Sequence, residues 1–271
     1  MSAPPISMPP ERARLGIIGW GRIGRRIATR LRDRPSAPRL VAVLVRPGQE
    51  APDAPACSSL AAFMQAAPDV VVECASAAAL LACGPRLLAA GIDVMPLSLS
   101  AFAEPENEAL LTQAASAGPG RLEIPAGAMG SIGFLAAARE EGLRHVLFRA
   151  ANGPVAWGRT AARDMLDLEA VSAPTVFLRA PVRAVARLFP RSLNVSVGVA
   201  LAGLGLDATQ AELTVDPALS QARFEVEASA GPGLAVMRVH GPGRPPGADP
   251  VDYTTFSVLR LLLRREARIM I

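Results

Sequence analysis

A short apolar strand that breaks directly into a glycine-rich turn is the feature that most restricts how this chain can fold. The run from Leu15 to Ile18 is typical of a buried strand, and the GWGRIG motif from Gly19 to Gly24 follows it at once. Apolar residues then recur at helical spacing with arginines on the other face, which predicts an amphipathic helix ending near Pro35. A second strand is predicted over residues 40–45. Strand, glycine turn, helix and strand together form a βαβ unit, the first unit of a Rossmann fold.

Each glycine of the motif has a physical role in such a unit. Gly19 ends the strand, Gly21 lets the backbone approach a pyrophosphate, and Gly24 lets the helix close on the strand. The helix N-terminus adds backbone donors and the positive end of the helix dipole. The segment therefore predicts that Gly19, Gly21, Arg22, Ile23 and Gly24 bind NADP or NAD, with an ordinary structural turn as the alternative.

The end of the second strand bears on the choice between the two dinucleotides. An NAD enzyme commonly has an acidic residue about 20 residues after the motif, where it accepts the ribose hydroxyls. Here Leu44, Val45 and Arg46 occupy that region. Arg46, together with Arg22, can hold a 2′-phosphate through charge-assisted hydrogen bonds. We therefore expect NADP to be preferred, and the alternative is that Arg46 is only a solvated strand end.

Strands and helices continue to alternate as far as a run of small residues, Pro125 to Gly130. This alternation predicts a Rossmann domain with a doubly wound parallel sheet over residues 11–125. Residues 126–250 show a mixed pattern and are expected to form a second α+β domain for substrate, catalysis and oligomerisation. A helix over residues 251–268 is expected to pack back on the first domain. The predicted fold class is α/β.

Composition excludes several other classes of protein. Apolar residues make up 51% and charged residues 19% of the chain, which excludes a predominantly disordered protein. The net charge is only +4 and aromatics are 4%, so the stacking platforms of RNA and single-strand binders are missing and no nucleic-acid partner is expected. The Pro-rich segment from Met1 to Pro10 has no apolar core, and no apolar run spans a bilayer, so we expect no signal peptide and no membrane partner. Three cysteines without a CxxC pair favour a reduced, cytoplasmic protein without a metal site.

Several segments along the chain carry a resemblance to a known family. They are GWGRIG, DVVVECAS (69–76), VMPLSLSAFAE (94–104), IPAGAMGSIGFLAAA (124–138), FPRSLNVSVGVALAGLGLDAT (189–209) and VDP (215–217). In order and spacing the chain resembles the L-aspartate dehydrogenases over most of residues 14–260. The resemblance implies a reversible oxidation of an amino acid at Cα, with hydride transfer to NAD or NADP and an imine as first product. It also implies a small-molecule substrate, an amino acid or imine, and a homo-oligomer with a dimer favoured.

The resemblance also implies further cofactor contacts. By matching position, Ala128 and Asn194 contact the cofactor, and Ala75 and Ser76 of the second segment belong to the expected cofactor site. Asn194 has an equally weighted alternative as the N-cap of a helix. Ala128 has the alternative of a tight turn, because any close backbone approach needs a small residue.

The chain departs from the family at the position of the catalytic histidine. Counted from Asp216 in the VDP segment, Ala222 and Phe224 stand where the family has an asparagine and the histidine. In the predicted strand, Phe224 shares an apolar face with Val226 and Ala228, so its neighbours offer no replacement. A histidine is the side chain that most readily supplies a base at neutral pH. The catalytic residue is therefore unknown.

Other departures from the family pattern also indicate an altered substrate or activity. His145 and His240 are the only two histidines, and both are expected to be structural. A lysine of the family appears as Asn152, and its Asn-Pro loop corresponds to Asp249–Asp252. A site with fewer cations holds a dicarboxylate such as aspartate poorly. The expected protein is an NAD(P)-dependent oxidoreductase of aspartate dehydrogenase type with altered substrate or activity, and the alternative is a non-catalytic dinucleotide-binding sensor or partner protein.

Overall fold

The computed structural model describes residues 12–52, 54–240 and 252–269, which form two five-stranded sheets with helices packed against them. The Pro-rich segment 1–10 and the loop residues Asp249, Pro250 and Val251 lie outside the described residues. Within the described ranges, every helix is too short or too polar to cross a membrane.

The first sheet is entirely parallel, with the strand order β3-β2-β1-β4-β5. Its strands are β1 (Arg14–Ile18), β2 (Arg39–Leu44), β3 (Ala56–Cys57), β4 (Val70–Glu73) and β5 (Asp93–Pro96). Along the chain, β2 and β3 are added on one side of β1, and β4 and β5 are then added on its other side. The topological switch point therefore lies between β1 and β4. The predicted doubly wound Rossmann sheet is confirmed.

Helices cover both faces of this sheet. They are α1 (Arg22–Arg32), α2 (Leu60–Gln65), α3 (Ala77–Ala89), α4 (Pro105–Ala117) and the C-terminal α10 (Tyr253–Arg264). On one face, Ile27 and Leu31 of α1 pack in one core with Val258 and Leu262 of α10. On the other face, Leu80 and Leu87 of α3 pack in a core with Leu111 of α4. The C-terminal helix thus packs against the first sheet.

The second sheet is mixed, with the order β10-β9-β6-β8-β7, and only β6 and β8 pair in parallel. Its strands are β6 (Leu143–Asn152), β7 (Thr175–Pro181), β8 (Gln210–Val215), β9 (Arg223–Ala230) and β10 (Gly233–His240). The helices of this part are α5 (Ile132–Glu140), α6 (Pro154–Trp157), α7 (Val182–Leu188), α8 (Asn194–Ala202) and α9 (Gly205–Ala208). Two 3-10 helices, Leu99–Ala103 and Ala161–Asp164, complete the structure. The prediction of a mixed α+β arrangement after the Rossmann sheet is confirmed.

Strand β9 alternates between an apolar and a charged face. Val226 and Ala228 are buried, and Phe224 stacks on Phe148 with ring centroids 5.9 Å apart. The intervening Glu225 and Glu227 both accept hydrogen bonds from Nη1 of Arg149, at 2.8 and 2.9 Å. The apolar side of β9 therefore faces the helices, as its sequence pattern predicts, and the charged side lies on the sheet face away from them.

The β1–α1 turn is held by close backbone packing at two of its glycines. Gly19 has φ of +96°, a left-handed conformation that favours glycine. A Cβ on Gly24 would lie 2.5 Å from the carbonyl oxygen of Gly19, whereas a Cβ on Gly21 would meet nothing within 4 Å. Gly24 is thus required by the fold, and Gly21 is free of such a requirement.

Replacing Gly24→Ala should destabilise the protein by about 1–3 kcal/mol, the usual cost of forcing an extra methyl into packed surroundings. The free energy of unfolding in urea measures the effect. The matched control is Gly133→Ala, which is exposed on α5 and has open space where its Cβ would go. Equal stability of the Gly24 variant and the wild type would contradict the packing described for this turn.

Candidate cofactor and substrate site

A groove of about 560 Å³ opens at the carboxyl ends of β1 and β4, at the topological switch point. Of the residues predicted to bind the cofactor, five line it: Gly19, Gly21, Arg46, Ala75 and Ser76. Open α/β sheets bind ligands at this edge, because the loops that leave neighbouring strands diverge there.

The floor of the groove fits a pyrophosphate. The open space beside Gly21 is a cradle that a side chain would fill, and α1 begins at the next residue, Arg22. An α-helix has unpaired backbone N–H groups and a partial positive charge at its start, and both favour phosphate. The residues present therefore fit a dinucleotide.

The two arginines predicted to hold a 2′-phosphate do not lie together. Arg46 is exposed and lines the groove. Arg22 instead places Nη1 3.2 Å from Oδ2 of Asp252, and Oδ1 of that aspartate caps α10 by accepting the N–H of Thr255 at 3.0 Å. Arg22 is absent from the described lining of the groove, so of the two arginines Arg46 is the one that lines it.

Glu73, at the end of β4, organises the loops beneath the groove and was missed by the sequence analysis. Its buried carboxylate accepts the N–H groups of Ala75 (2.7 Å) and Ser76 (2.8 Å), and also the N–H (3.2 Å) and Oγ–H (3.0 Å) of Ser98. Burial raises the pKa of Glu73, and the hydrogen bonds oppose that rise by favouring the carboxylate. Glu73 therefore ties the loop after β4 to the loop after β5. An acidic residue that ends an apolar strand just before small residues is the sequence signal that could have identified it.

Cys74 lies beside this carboxylate and also lines the groove. Burial, with a smaller contribution from the charge of Glu73, raises the pKa of the Cys74 thiol to about 12. Its Sγ is 3.4 Å from the carbonyl oxygens of both Ile18 and Gly19. The thiol is therefore protonated at neutral pH and unreactive as a nucleophile.

A second cavity, of about 270 Å³, lies between the first and second sheets and contains three of the other five predicted residues; Arg22 and Gly24 are absent from both described linings. Ile23, Ala128, Asn194 and Phe224 all line it, together with Arg191. Gly21, which precedes α1, lines the groove, and Ile23, the second residue of α1, lines this cavity, so the two spaces flank the glycine motif. We refer to it as the Phe224 cavity.

Asn194 joins the two parts of the structure at the wall of the Phe224 cavity. Its Oδ1 accepts the N–H of Ser100, which follows β5, at 2.9 Å. The cap position of α8 is Leu193, and Asn194 is the first residue of the helix. The alternative that Asn194 serves as a helix N-cap is therefore wrong.

A smaller cavity of about 120 Å³ shares the lining residues Phe224 and Ser192 with the Phe224 cavity. Phe224 and Ala222 line it together with Asn152, Trp157 and Thr160. Trp157 is buried and donates its Nε1–H to the carbonyl oxygen of Thr214 at 2.8 Å. We refer to this space as the Trp157 pocket. Phe224 thus lines both cavities, and the two positions that depart from the family pattern, 222 and 224, line the same pocket.

Neither histidine replaces the missing one. His145 places Nε2 3.5 Å from Oε1 of Glu227, on the charged face of the second sheet. His240 is exposed at the end of β10 and pairs in register with Arg223. Both histidines are absent from the described linings of the groove, the Phe224 cavity and the Trp157 pocket.

Comparison with known proteins gives a consistent result for the two halves of the chain. Residues 19–125 match the family model described as homoserine dehydrogenase, NAD binding domain, and residues 134–265 match that of aspartate dehydrogenase, C-terminal. The L-aspartate dehydrogenase of Ruegeria pomeroyi is 34% identical over 268 residues, which cover 96% of this chain and 94% of that protein. L-aspartate dehydrogenase 1 of Bordetella pertussis is 38% identical over 205 residues, 75% of this chain and 77% of that protein.

A solved structure agrees at the level of the fold. The crystal structure of aspartate dehydrogenase from Thermotoga maritima superposes with a TM-score of 0.78 at 21% sequence identity, covering 96% of this chain and 100% of that one. Because sequence similarity to the relatives extends along nearly the whole chain and both of its halves match dehydrogenase models, the protein belongs to the aspartate dehydrogenase family.

Proposed function

We propose that this protein is an NAD(P)-dependent oxidoreductase that acts at the Cα–N bond of an amino acid or the corresponding imine. The observation that carries the proposal is the adjacency of the glycine-lined groove and the Phe224 cavity on the two sides of the glycine motif. A dinucleotide whose pyrophosphate lies at Gly21 reaches the Phe224 cavity with one end and Arg46 with the other. When bound by these residues, a dinucleotide would supply the hydride donor or acceptor for the substrate carbon.

The residues of the chain then have distinct roles in this proposal. Gly19, Gly21, Ala75 and Ser76 contact the dinucleotide along the groove, and Glu73 fixes the loop that contains the last two. Ile23, Ala128 and Asn194 enclose the nicotinamide end. Leu97, Leu99 and Val195 contribute apolar side chains to the same lining.

A second function, dinucleotide binding without turnover, is favoured by one observation. The side chain at the family's histidine position is the apolar ring of Phe224, packed on Phe148. Mixing the protein with NADP or NAD and a panel of amino acids distinguishes the two functions. A change in nicotinamide absorbance indicates the enzyme, whereas binding without such a change indicates a sensor or partner protein.

We also propose an assembly state and a cellular location for the protein. A homo-oligomer, with a dimer favoured, is proposed from the family resemblance. A cytoplasmic location is proposed from the three cysteines, all of which are free thiols.

Replacing Gly21→Val should abolish dinucleotide binding and leave the fold intact, because the side chain has room in the protein but occupies the space of the pyrophosphate. Calorimetric titration with NADP and NAD measures binding, and thermal unfolding measures the fold. Gly133→Val, an exposed helix position with equally open space, is the matched control. Unchanged affinity of the Gly21 variant for both dinucleotides would rule out the proposed groove.

The wild type should bind NADP more tightly than NAD, and Arg46→Asp should reverse the preference. The change removes a phosphate partner and adds an acceptor for ribose hydroxyls. A charge-assisted hydrogen bond contributes about 1.5–3 kcal/mol, which is about 10- to 150-fold in affinity for NADP. Arg39→Asp makes the same charge change at the opposite end of β2 and should leave the NADP/NAD ratio unaltered. Tighter binding of NAD by the wild type would show that Arg46 is only a solvated strand end.

L-Aspartate oxidation should be slow in the wild type and should increase in the double variant Ala222→Asn with Phe224→His. General acid–base catalysis typically contributes 10²- to 10⁴-fold, and the two positions line the same pocket, so the asparagine can orient the imidazole. Phe224→His alone is expected to recover little. If Phe224 is an ordinary core aromatic, the change also costs about 1–3 kcal/mol of stability, because the imidazole is then a poorly satisfied buried polar group. Steady-state rates and urea unfolding measure the two effects. Aspartate oxidation by the wild type at an ordinary enzymatic rate, about 1–10³ per second, would mean that another residue supplies the base.

A further inference from the structure

The two spaces that meet at Phe224 contain a single ionisable side chain. Among the described residues that line the Phe224 cavity and the Trp157 pocket, that side chain is Arg191. The polar lining residues are neutral, and they are Asn152, Thr160, Ser192, Asn194 and Thr254. The remaining lining residues are apolar or glycine. A ligand that fits this lining has one negative group for the arginine and a largely apolar body.

From this lining we propose that the site takes an imino acid, and this inference rests on the proposed oxidoreductase function. Such a ligand has a carboxylate next to a carbon that already forms an iminium (C=N⁺) bond, and the rest of its skeleton is apolar. The cyclic imine Δ1-piperideine-2-carboxylate represents this class, and its reduced form is L-pipecolate. The favoured reaction is reduction of the iminium rather than oxidation of an ammonium substrate.

The charges of such a ligand match those of the site. Its carboxylate pairs with Arg191 at the rim, and its positively charged C=N group lies against the ring of Phe224, where a cation is attracted to the aromatic face. Aspartate carries a second carboxylate, and the Trp157 pocket offers that group no cation among its described lining residues. Burying an unpaired carboxylate is costly, so the pocket discriminates against dicarboxylates.

The chemistry of the two directions differs in its need for a base. At neutral pH an amino acid is an ammonium ion, which must lose a proton before a hydride can leave the neighbouring carbon. In the reduction, the C4–H bond of the bound NAD(P)H breaks, a C–H bond forms at the iminium carbon, and the π electron pair of C=N moves to nitrogen. The nitrogen becomes a neutral amine that takes a proton from water after release. The step needs no acid or base from the protein, which suits a cavity with Phe224 at the family's histidine position.

The ionisable groups on the strands around Phe224 are absent from the described linings of both cavities. On its own strand, Arg223 lies 3.6 Å from Asp216, and Glu225 binds Arg149 on the charged face of the sheet. On β10, Phe224 pairs with Val239, and the exposed His240 follows at the end of the strand. On β6 the partner of Phe224 is Ala150. The pH dependence of the reaction should therefore be set by the pKa of the substrate nitrogen rather than by the pKa of a group of the protein.

Ligand binding tests the class of substrate without depending on turnover. L-Pipecolate and L-aspartate are titrated calorimetrically into the protein saturated with NADP. Pipecolate should bind at least tenfold more tightly than aspartate, and Arg191→Gln should weaken pipecolate binding about tenfold or more, as expected for loss of a hydrogen-bonded charge pair. Arg30→Gln, an exposed arginine on α1 outside both cavities, should have no effect. Equal or tighter binding of aspartate, or pipecolate binding that is insensitive to Arg191, would overturn the proposed ligand class.

The pH dependence of turnover tests the reaction. Pipecolate oxidation should rise tenfold per pH unit until the pKa of the amine itself is reached, and imine reduction should follow the iminium fraction. In the double variant Ala222→Asn with Phe224→His, an additional inflection should appear near pH 6.5, the unperturbed pKa of histidine. An inflection near neutral pH in pipecolate oxidation by the wild type would overturn the base-free reaction.

A different result is expected if the proposed oxidoreductase function itself is wrong. Arg191-dependent binding of pipecolate with no turnover of any amine or imine would contradict the oxidoreductase function and the reduction assigned here, while supporting the ligand class. Turnover of aspartate with a neutral-pH inflection would support the oxidoreductase function and overturn this inference.

Discussion

The contacts that fasten the helices of the second sheet to the segment after β5 hold together the two parts of the structure whose residues line the Phe224 cavity. Arg183 of α7 donates to the carbonyl oxygens of Phe102 and Ala103 and to the carboxylates of Glu108 and Asp207. These partners, chiefly Asp207, raise the pKa of Arg183 above its usual value, so the guanidinium is charged at all relevant pH. Such a part-buried hub, with its hydrogen-bonding capacity largely used, holds one geometry. It ties α7 to the segment after β5, and Leu99 of that segment lines the Phe224 cavity.

The parts of the site that the sequence predicted are those set by local geometry. Gly19 and Gly24 could be assigned because the close approach of strand and helix leaves no room for a side chain at these positions, and Gly21 because it stands at fixed spacing between them in the same motif. The apolar face of β9 could be assigned because a strand has a period of two. In both cases the physical constraint acts within about ten residues of chain.

What the sequence could not predict depends on contacts between distant segments. Arg22 has as its partner Asp252, 230 residues away, and no local pattern indicates that pair. Asn194 suits a helix cap by composition, yet its side chain bonds the backbone of Ser100, 94 residues away. β3, with two residues, and α2, with six, are too short to show a period and were missed.

The central claim is that the nicotinamide end of a bound dinucleotide lies in the Phe224 cavity, on the far side of the glycine turn from Arg46. Its most direct test is a crystal structure of the protein with NADPH, in which the position of the nicotinamide ring is measured. The account predicts that the ring lies between Ala128 and Asn194 and within about 4 Å of the ring of Phe224, the distance of van der Waals contact. A nicotinamide ring located outside this cavity, with Phe224 covered by other protein groups, would contradict it.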